Sequence, residues 1–362
     1  MANILGEKLK IISFGESHGQ CIGLVIDGFP TGFKIDPEAL QKEMRRRQPG
    51  QSSLVTSRKE EDKVEIFSGV FNGLTTGSPI CLLIFNKDVD SSKYELIKNL
   101  PRPGHADLTA YFKYKGFNDY RGGGRFSGRI TAGFVAAGAL AKQLLKEKLK
   151  IEIYAYTVQI GKIKAKEVSL TEIKKNPEKN LVRCADLEAA QKMEKLILKV
   201  KKQNDSLGGI IECQILNPPI GLGEPVFNSL ESELAKAIFS IPACKGIEFG
   251  LGFKVAEMKG SLNNDEFILK NGKIAARTNN AGGILGGISN GLPIVFKAVF
   301  KPTASIGQPQ KTINLKTKKP EILRIEGRHD PCLVPRAVPV VEAMAALVMA
   351  DLSLQTGLIR GG

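Results

Sequence analysis

The 362 residues predict an α+β fold, on three observations. Strand-like and helix-like runs do not alternate as strict βαβα units. No Gly-x-Gly-x-x-Gly follows a strand, so neither a Rossmann sheet nor a TIM barrel is the natural arrangement. Apolar residues make up 42% beside 25% charged, which suits a globular chain and excludes a disordered or fibrous one. No linker-like stretch interrupts the chain, so residues 1–362 are read as a single domain.

Taken in order, residues 22–27, 63–71 and 80–85 are short β-branched or alternating runs bounded by Gly, Pro and Asn, and they predict strands. Asp36, Pro37 and Glu38 supply an N-cap, a first-turn proline and a first-turn acid. They open a helix that ends in Arg45, Arg46 and Arg47, where positive charge suits the helix dipole. Residues 130–148 predict a central, buried helix, because Ala132, Gly133, Ala136, Ala137 and Gly138 leave one side nearly bare for close packing. An amphipathic helix follows at 186–202, a strand at 210–216, and a helix at 228–241 that Pro242 stops. Residues 245–255 and 292–300 read as extended, and 339–352 as a final apolar helix. The longest apolar runs, 130–145 and 338–352, are broken by Lys142 and by Glu342 and Asp351, short of the roughly 20 residues of a membrane span, so no membrane segment is expected. An internal echo links Gly77-Ser-Pro79-Ile80 with Gly291-Leu-Pro293-Ile294, each reaching a lysine, Lys87 or Lys301, ten places after its glycine. Chance or an ancient duplication with two similar sheets would produce it.

The N-terminus lacks the charged-then-apolar layout of a signal peptide, so a cytoplasmic location is expected. The six cysteines form no Cys-x-x-Cys pair, and thiols without disulfides or a metal site are expected. The net charge of +15 arises from 52 basic residues against 37 acids. Lysine is spread evenly, whereas arginine gathers in Gly- and Pro-punctuated places: Arg45 to Arg47, Arg102, Arg121, Arg125, Arg129, Arg328 and Arg336. Arginine grips phosphate and carboxylate bidentately, so small multiply charged anions are the expected ligands. A nucleic-acid surface competes for the charge, but no Trp and 6% aromatics provide no stacking stripe.

The three histidines each sit in a loop dense with Gly, Pro, acids or Arg: His18 in GESHG, His105 in RPGHAD and His329 in GRHDPC. His18 and His105 are therefore acid or base candidates. Residues 15–19 also spell Gly-x-Ser-x-Gly, which raises a serine hydrolase with Ser17 as nucleophile. Its context is poor, since a strand-like run and not a helix follows. The stretch RGGGRFSGR at 121–129 would bring its arginines to one side if the next helix begins early, and its glycines suit an anion cradle. A second glycine-rich stretch, GGILGGISNG, leads through a strand into KPTAS at 301–305 and reads as a phosphate or cofactor clasp beside lysine and hydroxyls.

Together GESHG, RPGHAD, RGGGRFSGR, GGILGGISNG, KPTAS and GRHDPC resemble, in that order and over nearly the whole chain, the chorismate synthase family. The resemblance implies a β-α-β sandwich with helices between antiparallel sheets, and a carbon–oxygen lyase of the shikimate pathway. Its reaction is an anti-1,4-elimination of phosphate from 5-enolpyruvylshikimate 3-phosphate to give chorismate. It implies reduced FMN as cofactor and a homotetramer, with NADPH or an external flavin reductase as the source of electrons. By the same resemblance His18 would protonate the departing phosphate, His105 would neutralise the anionic flavin, and Asp330 would help the C6 proton leave. Arg47, Arg102, Arg129 and Arg336 would bind substrate. Arg125, Phe126, Ser127, Pro242, Ala243, Gly286, Lys301, Pro302, Thr303, Ala304, Ser305 and Arg328 would contact FMN. Phe126, Pro242 and Asn280 stand where serine, asparagine and histidine are usual, and Ser53 where arginine is frequent.

Overall fold

The computed structural model describes residues 3–50, 61–87, 90–270, 272–325 and 330–361. Two five-stranded antiparallel sheets form its outer layers. The first runs, in spatial order, Ile4–Leu5, Lys10–Gly15, Cys21–Asp27, Ile80–Phe85 and Glu65–Ile66. The second runs Cys244–Phe249, Ile294–Phe300, Gly209–Leu216, Glu152–Ile160 and Ile163–Lys164. The two echoed segments thus open strands that are each second from an edge of a five-stranded sheet.

Alternation in the strands aims one face of each sheet inward. Ile22, Leu24 and Ile26 pair with Ile84, Leu82 and Ile80, and all six are buried. Ile211, Cys213 and Ile215 do the same beside Ala298, Phe296 and Ile294. The helices fill the space between. The central helix Thr131–Leu149 lies on the first sheet and the C-terminal helix Val334–Gln355 on the second, and they pack on each other. The sandwich implied by the resemblance is the observed architecture.

Small residues on the central helix have the expected cause. A Cβ at Gly133 would sit 2.8 Å from Leu24 Cδ1, and one at Gly138 would sit 2.3 Å from Ala343 Cβ of the C-terminal helix. Gly138→Ala is expected to destabilise the fold by about 1–3 kcal/mol through overpacking, a loss that a urea titration measures.

The first helix, Pro37–Arg47, matches its expectation: the Asp36 carboxylate accepts from the backbone N–H of Glu38 and Ala39 at 2.9 and 3.0 Å. Other boundaries moved. The run 63–71 is not one strand but two short ones, Glu65–Ile66 and Val70–Phe71, because Gly69 turns at φ +79° where a Cβ would meet the Ile80 backbone. The run 245–255 stops at Phe249, where Gly250 and Gly252 take φ of +54° and +58° and lead into a short 3-10 helix, Gly252–Glu257. The last helix starts at Val334, earlier than expected, with Pro339 inside it. Proline cannot donate to the carbonyl of residue 335, and the Arg183 guanidinium takes that role, donating to Pro335 O at 2.6 Å.

At 22 residues, this last helix is long and apolar enough to cross a membrane by length and composition, yet its apolar window is wholly buried inside the protein. Its two acids are bound within the fold. Asp351 accepts from the backbone N–H groups of Glu7, Lys8 and Leu9 at 3.0, 2.8 and 2.7 Å. Glu342 accepts from Arg46 at 2.5 and 3.0 Å, from Lys142 at 2.7 Å and from the Ala155 backbone at 3.0 Å. One carboxylate therefore ties together three helices and the second sheet.

Candidate functional site

The loops that leave these layers meet at a cleft of about 560 Å³, a size suited to small ligands. Its walls carry His18, Arg47, Arg102, His105, Arg125, Phe126, Ser127 and Arg129 from the N-terminal part of the chain. The other wall carries Pro242, Ala243, Lys301, Pro302, Thr303, Ala304, Ser305, Asp330 and Arg336. Motifs separated by hundreds of residues are thus one site.

Arg47, at the end of the first helix, and Arg129, just before the central helix, are both buried and share one carboxylate. Arg47 Nη1 lies 2.9 Å from Asp62 Oδ2, and Arg129 Nη1 donates to Asp62 Oδ1. Arg47 also donates to Gly128 O at 2.8 Å, and Arg129 to Asn86 Oδ1 at 2.8 Å. Burial, with the added positive charge of Arg336 and Arg129, lowers the Arg47 guanidinium to about 10 even though Asp62 pulls the other way. Burial pushes the Asp62 carboxyl up, but the two arginines hold it below the usual carboxylate range. Arg336 reaches from the C-terminal helix to Asp330 at 2.5 Å and to Arg47 O at 3.4 Å. Three guanidinium groups against two carboxylates leave this end of the cleft with an excess of positive charge.

A second cluster forms around His105. Its Nδ1 lies 2.7 Å from Asp107 Oδ1, and Asp107 also accepts from Arg102 Nε at 2.7 Å and Nη2 at 2.8 Å. Burial raises the Asp107 carboxyl, but hydrogen bonds from Arg102 and His105 outweigh it and hold it well below the usual range. Arg102 Nη1 donates to Ser305 Oγ at 3.0 Å, and Lys301 Nζ donates to Gly104 O, so KPTAS is stitched to RPGHAD. His18 is fixed separately, with Nδ1 2.9 Å from Ser91 Oγ and its ring edge-on to Tyr94 at 5.1 Å.

The glycine stretch works by close approach. Gly122, at φ +57°, faces the His18 ring, where a Cβ would fall 2.3 Å from Cδ2. Gly122, Gly123 and Gly124 are all non-helical, so the arginines of the stretch diverge and do not share one helical side as expected. Arg121 pairs with Asp119, Arg125 donates to Gly15 O and Asn3 Oδ1, and Arg129 goes to Asp62. Ser17 lies in the turn between Lys10–Gly15 and Cys21–Asp27, two antiparallel strands, so the strand-to-helix elbow of a serine hydrolase is not formed. Gly286 lies on the hairpin Ile284–Leu285/Ile288–Ser289 and not on the cleft wall. Arg328, His329 and Ser53 fall outside the described residues.

A model of the family described as chorismate synthase matches residues 9–354. The chain belongs to the chorismate synthase family. The chorismate synthase of Dehalococcoides mccartyi (strain BAV1) is 53% identical over 99% of this chain and 98% of the relative. That of Methanocaldococcus jannaschii is 50% identical over 99% of this chain and 98% of the relative. A solved structure entitled "Crystal Structure of Chorismate Synthase" superposes with a TM-score of 0.76 at 31% identity, covering 97% of this chain and 93% of the other. The activity is that of a carbon–oxygen lyase forming chorismate, within aromatic biosynthesis.

Sequence reasoning missed Asp62 and Asp107, the two carboxylates that hold the arginines and the imidazole. Asp107 ends the RPGHAD motif, two residues from His105, and that spacing is a usable signal. Asp62 carried none, because its partners depend on where the chain returns after residue 60.

Proposed function

We propose that the cleft binds 5-enolpyruvylshikimate 3-phosphate against reduced FMN and releases phosphate by anti-1,4-elimination. The observation that carries this reading is the convergence of Arg47, Arg102, Arg129 and Arg336 with His18 and His105 on one cleft. The substrate carries a phosphate and two carboxylates, and fixed guanidinium groups in a dry site stabilise charge as it develops, by about 3 kcal/mol per well-placed donor.

The walls suit a flavin. The hydroxyls of Ser17 and Thr303 are buried on the cleft with no hydrogen-bond partner among the described residues, which leaves bonding capacity for a polar ligand. Arg125, Phe126, Ser127, Pro242, Ala243 and the run Lys301 to Ser305 would hold it, and the half-exposed Phe126 ring offers a flat face at the rim. Gly286 and Arg328 enter by motif position alone. Reduced FMN held there would supply transient electron density for the elimination, with no net redox change.

The chain's own residues then divide the proton work. His18, held by Ser91, presents a proton to the leaving phosphate oxygen. His105 places positive charge beside the cofactor. Asp330, oriented by Arg336, serves removal of the C6 proton. Family membership supports the rest of this reading: a cytoplasmic homotetramer supplied with electrons by NADPH or an external flavin reductase.

An anaerobic assay with the enolpyruvyl substrate and chemically reduced FMN tests the reading. Chorismate absorbance and free phosphate are expected to rise together, and to fail together with oxidised FMN. Phosphate release without chorismate would overturn it.

A further inference from the structure

We propose that Asp107 is a positioning residue that fixes the tautomer and ring orientation of His105 and locks that imidazole to Arg102, an inference that rests on the role of His105 given above. The Asp107 carboxylate is fully engaged. Oδ1 lies 2.7 Å from His105 Nδ1 and 2.8 Å from Arg102 Nη2. Oδ2 lies 2.7 Å from Arg102 Nε and 3.0 Å from the Arg102 backbone N–H. The His105 backbone N–H donates to Arg102 O at 3.1 Å and closes the turn that holds the three groups together.

An ionised carboxylate only accepts hydrogen bonds, so the nitrogen facing it carries the hydrogen. Arg102 Nη2 also approaches Nδ1, at 3.1 Å, but it already donates to Asp107 Oδ1 at the shorter distance of 2.8 Å. Nδ1–H donating to Asp107 is therefore the assignment, and Nε2 is the nitrogen left for chemistry. Its edge passes Gly123, where a Cβ would lie 3.4 Å from Nε2 and 3.2 Å from Cε1. Glycine keeps that edge open toward the cleft.

The surrounding bonds point the same way. The charged groups bonded at this loop include Arg102, Lys301 on the adjacent Gly104 carbonyl, and Asp107. Of these three, Asp107 is the hydrogen-bond acceptor that faces the imidazole, at 2.7 Å. The same carboxylate aligns a substrate-binding guanidinium, so one residue sets both the anion grip and the acid–base group in register. Carboxylates that orient a metal-bound histidine typically matter 10- to 100-fold when removed, and the same orienting role sets the scale expected here.

Nitrogen NMR of histidine-labelled protein decides the point directly, because the chain has three histidines and a His105→Gln variant assigns the signal of interest. In the wild-type protein above neutral pH, His105 is expected as the Nδ1-protonated tautomer. The Nε2-protonated form would overturn the proposal without any variant at position 107. Asp107→Asn is expected to shift that signal toward the other tautomer and to lower kcat about 10- to 100-fold. In a His105→Ala background the same substitution should add little to the loss in kcat, since the two residues act as a unit there, and its remaining effect through Arg102 should fall on KM. Losses in kcat that multiply would overturn the proposal. If His105→Ala alone leaves turnover unchanged, the catalytic reading of the cleft fails, while the NMR result still judges the tautomer assignment separately.

Discussion

Glu342→Gln is expected to destabilise the fold by about 3 kcal/mol at neutral pH, the lower end of the range for breaking a buried ion pair. The carboxylate is buried in the C-terminal helix with Arg46 at 2.5 Å and Lys142 at 2.7 Å, and glutamine leaves both cations without their closest neutralising partner. The loss stays at the lower end because Glu43 remains 2.7 Å from Arg46 and 3.1 Å from Lys142, and Glu178 remains 2.8 Å from Arg46. A pH dependence comes with it. Burial raises the Glu342 carboxyl, but Arg46 and Lys142 outweigh that and hold it well below its ordinary value of 4.5. The unfolded chain therefore binds the proton first, and the stability that Glu342 contributes is present above its ordinary value and lost as pH falls below it. Urea unfolding at pH 7 and at pH 3 should show the wild-type advantage shrinking at the lower pH. An advantage of constant size would refute the assignment.

His105→Ala is expected to lower turnover by roughly 10- to 1,000-fold, near the range for loss of an acid–base group. The effect should fall on kcat more than on KM. Asp107 keeps two direct bonds to the Arg102 side chain through Nε and Nη2 after the imidazole is gone, so the anion grip survives. Steady-state kinetics under anaerobic conditions with reduced FMN separate the two parameters, and an unchanged kcat would remove His105 from the mechanism.

Both effects trace to residues whose importance was unequally visible. His105 was conspicuous, one of three histidines and set in a Gly- and Pro-rich loop. Glu342 looked only like an interruption in an apolar run, and its role emerged when the helix was seen crossing Arg46 and Lys142. Gly138 lies between these cases: its small neighbours announced a close contact, but not that Ala343 would make it.

Capping at Asp36, strand alternation at 80–85 and the bare face of the central helix were legible because each is a relation among residues a few places apart, enforced by backbone geometry. The six motifs were legible as short runs through their resemblance to the chorismate synthase family. The pairing of carboxylates with guanidinium groups was not. Asp62 meets Arg47 across 15 positions, and Glu342 meets Arg46 across 296. In a chain with 37 acids and 52 bases, many such pairs satisfy charge equally well. Only the stacking of two sheets on a shared helical layer selects among them, because burial makes the right partner decisive and the wrong one costly.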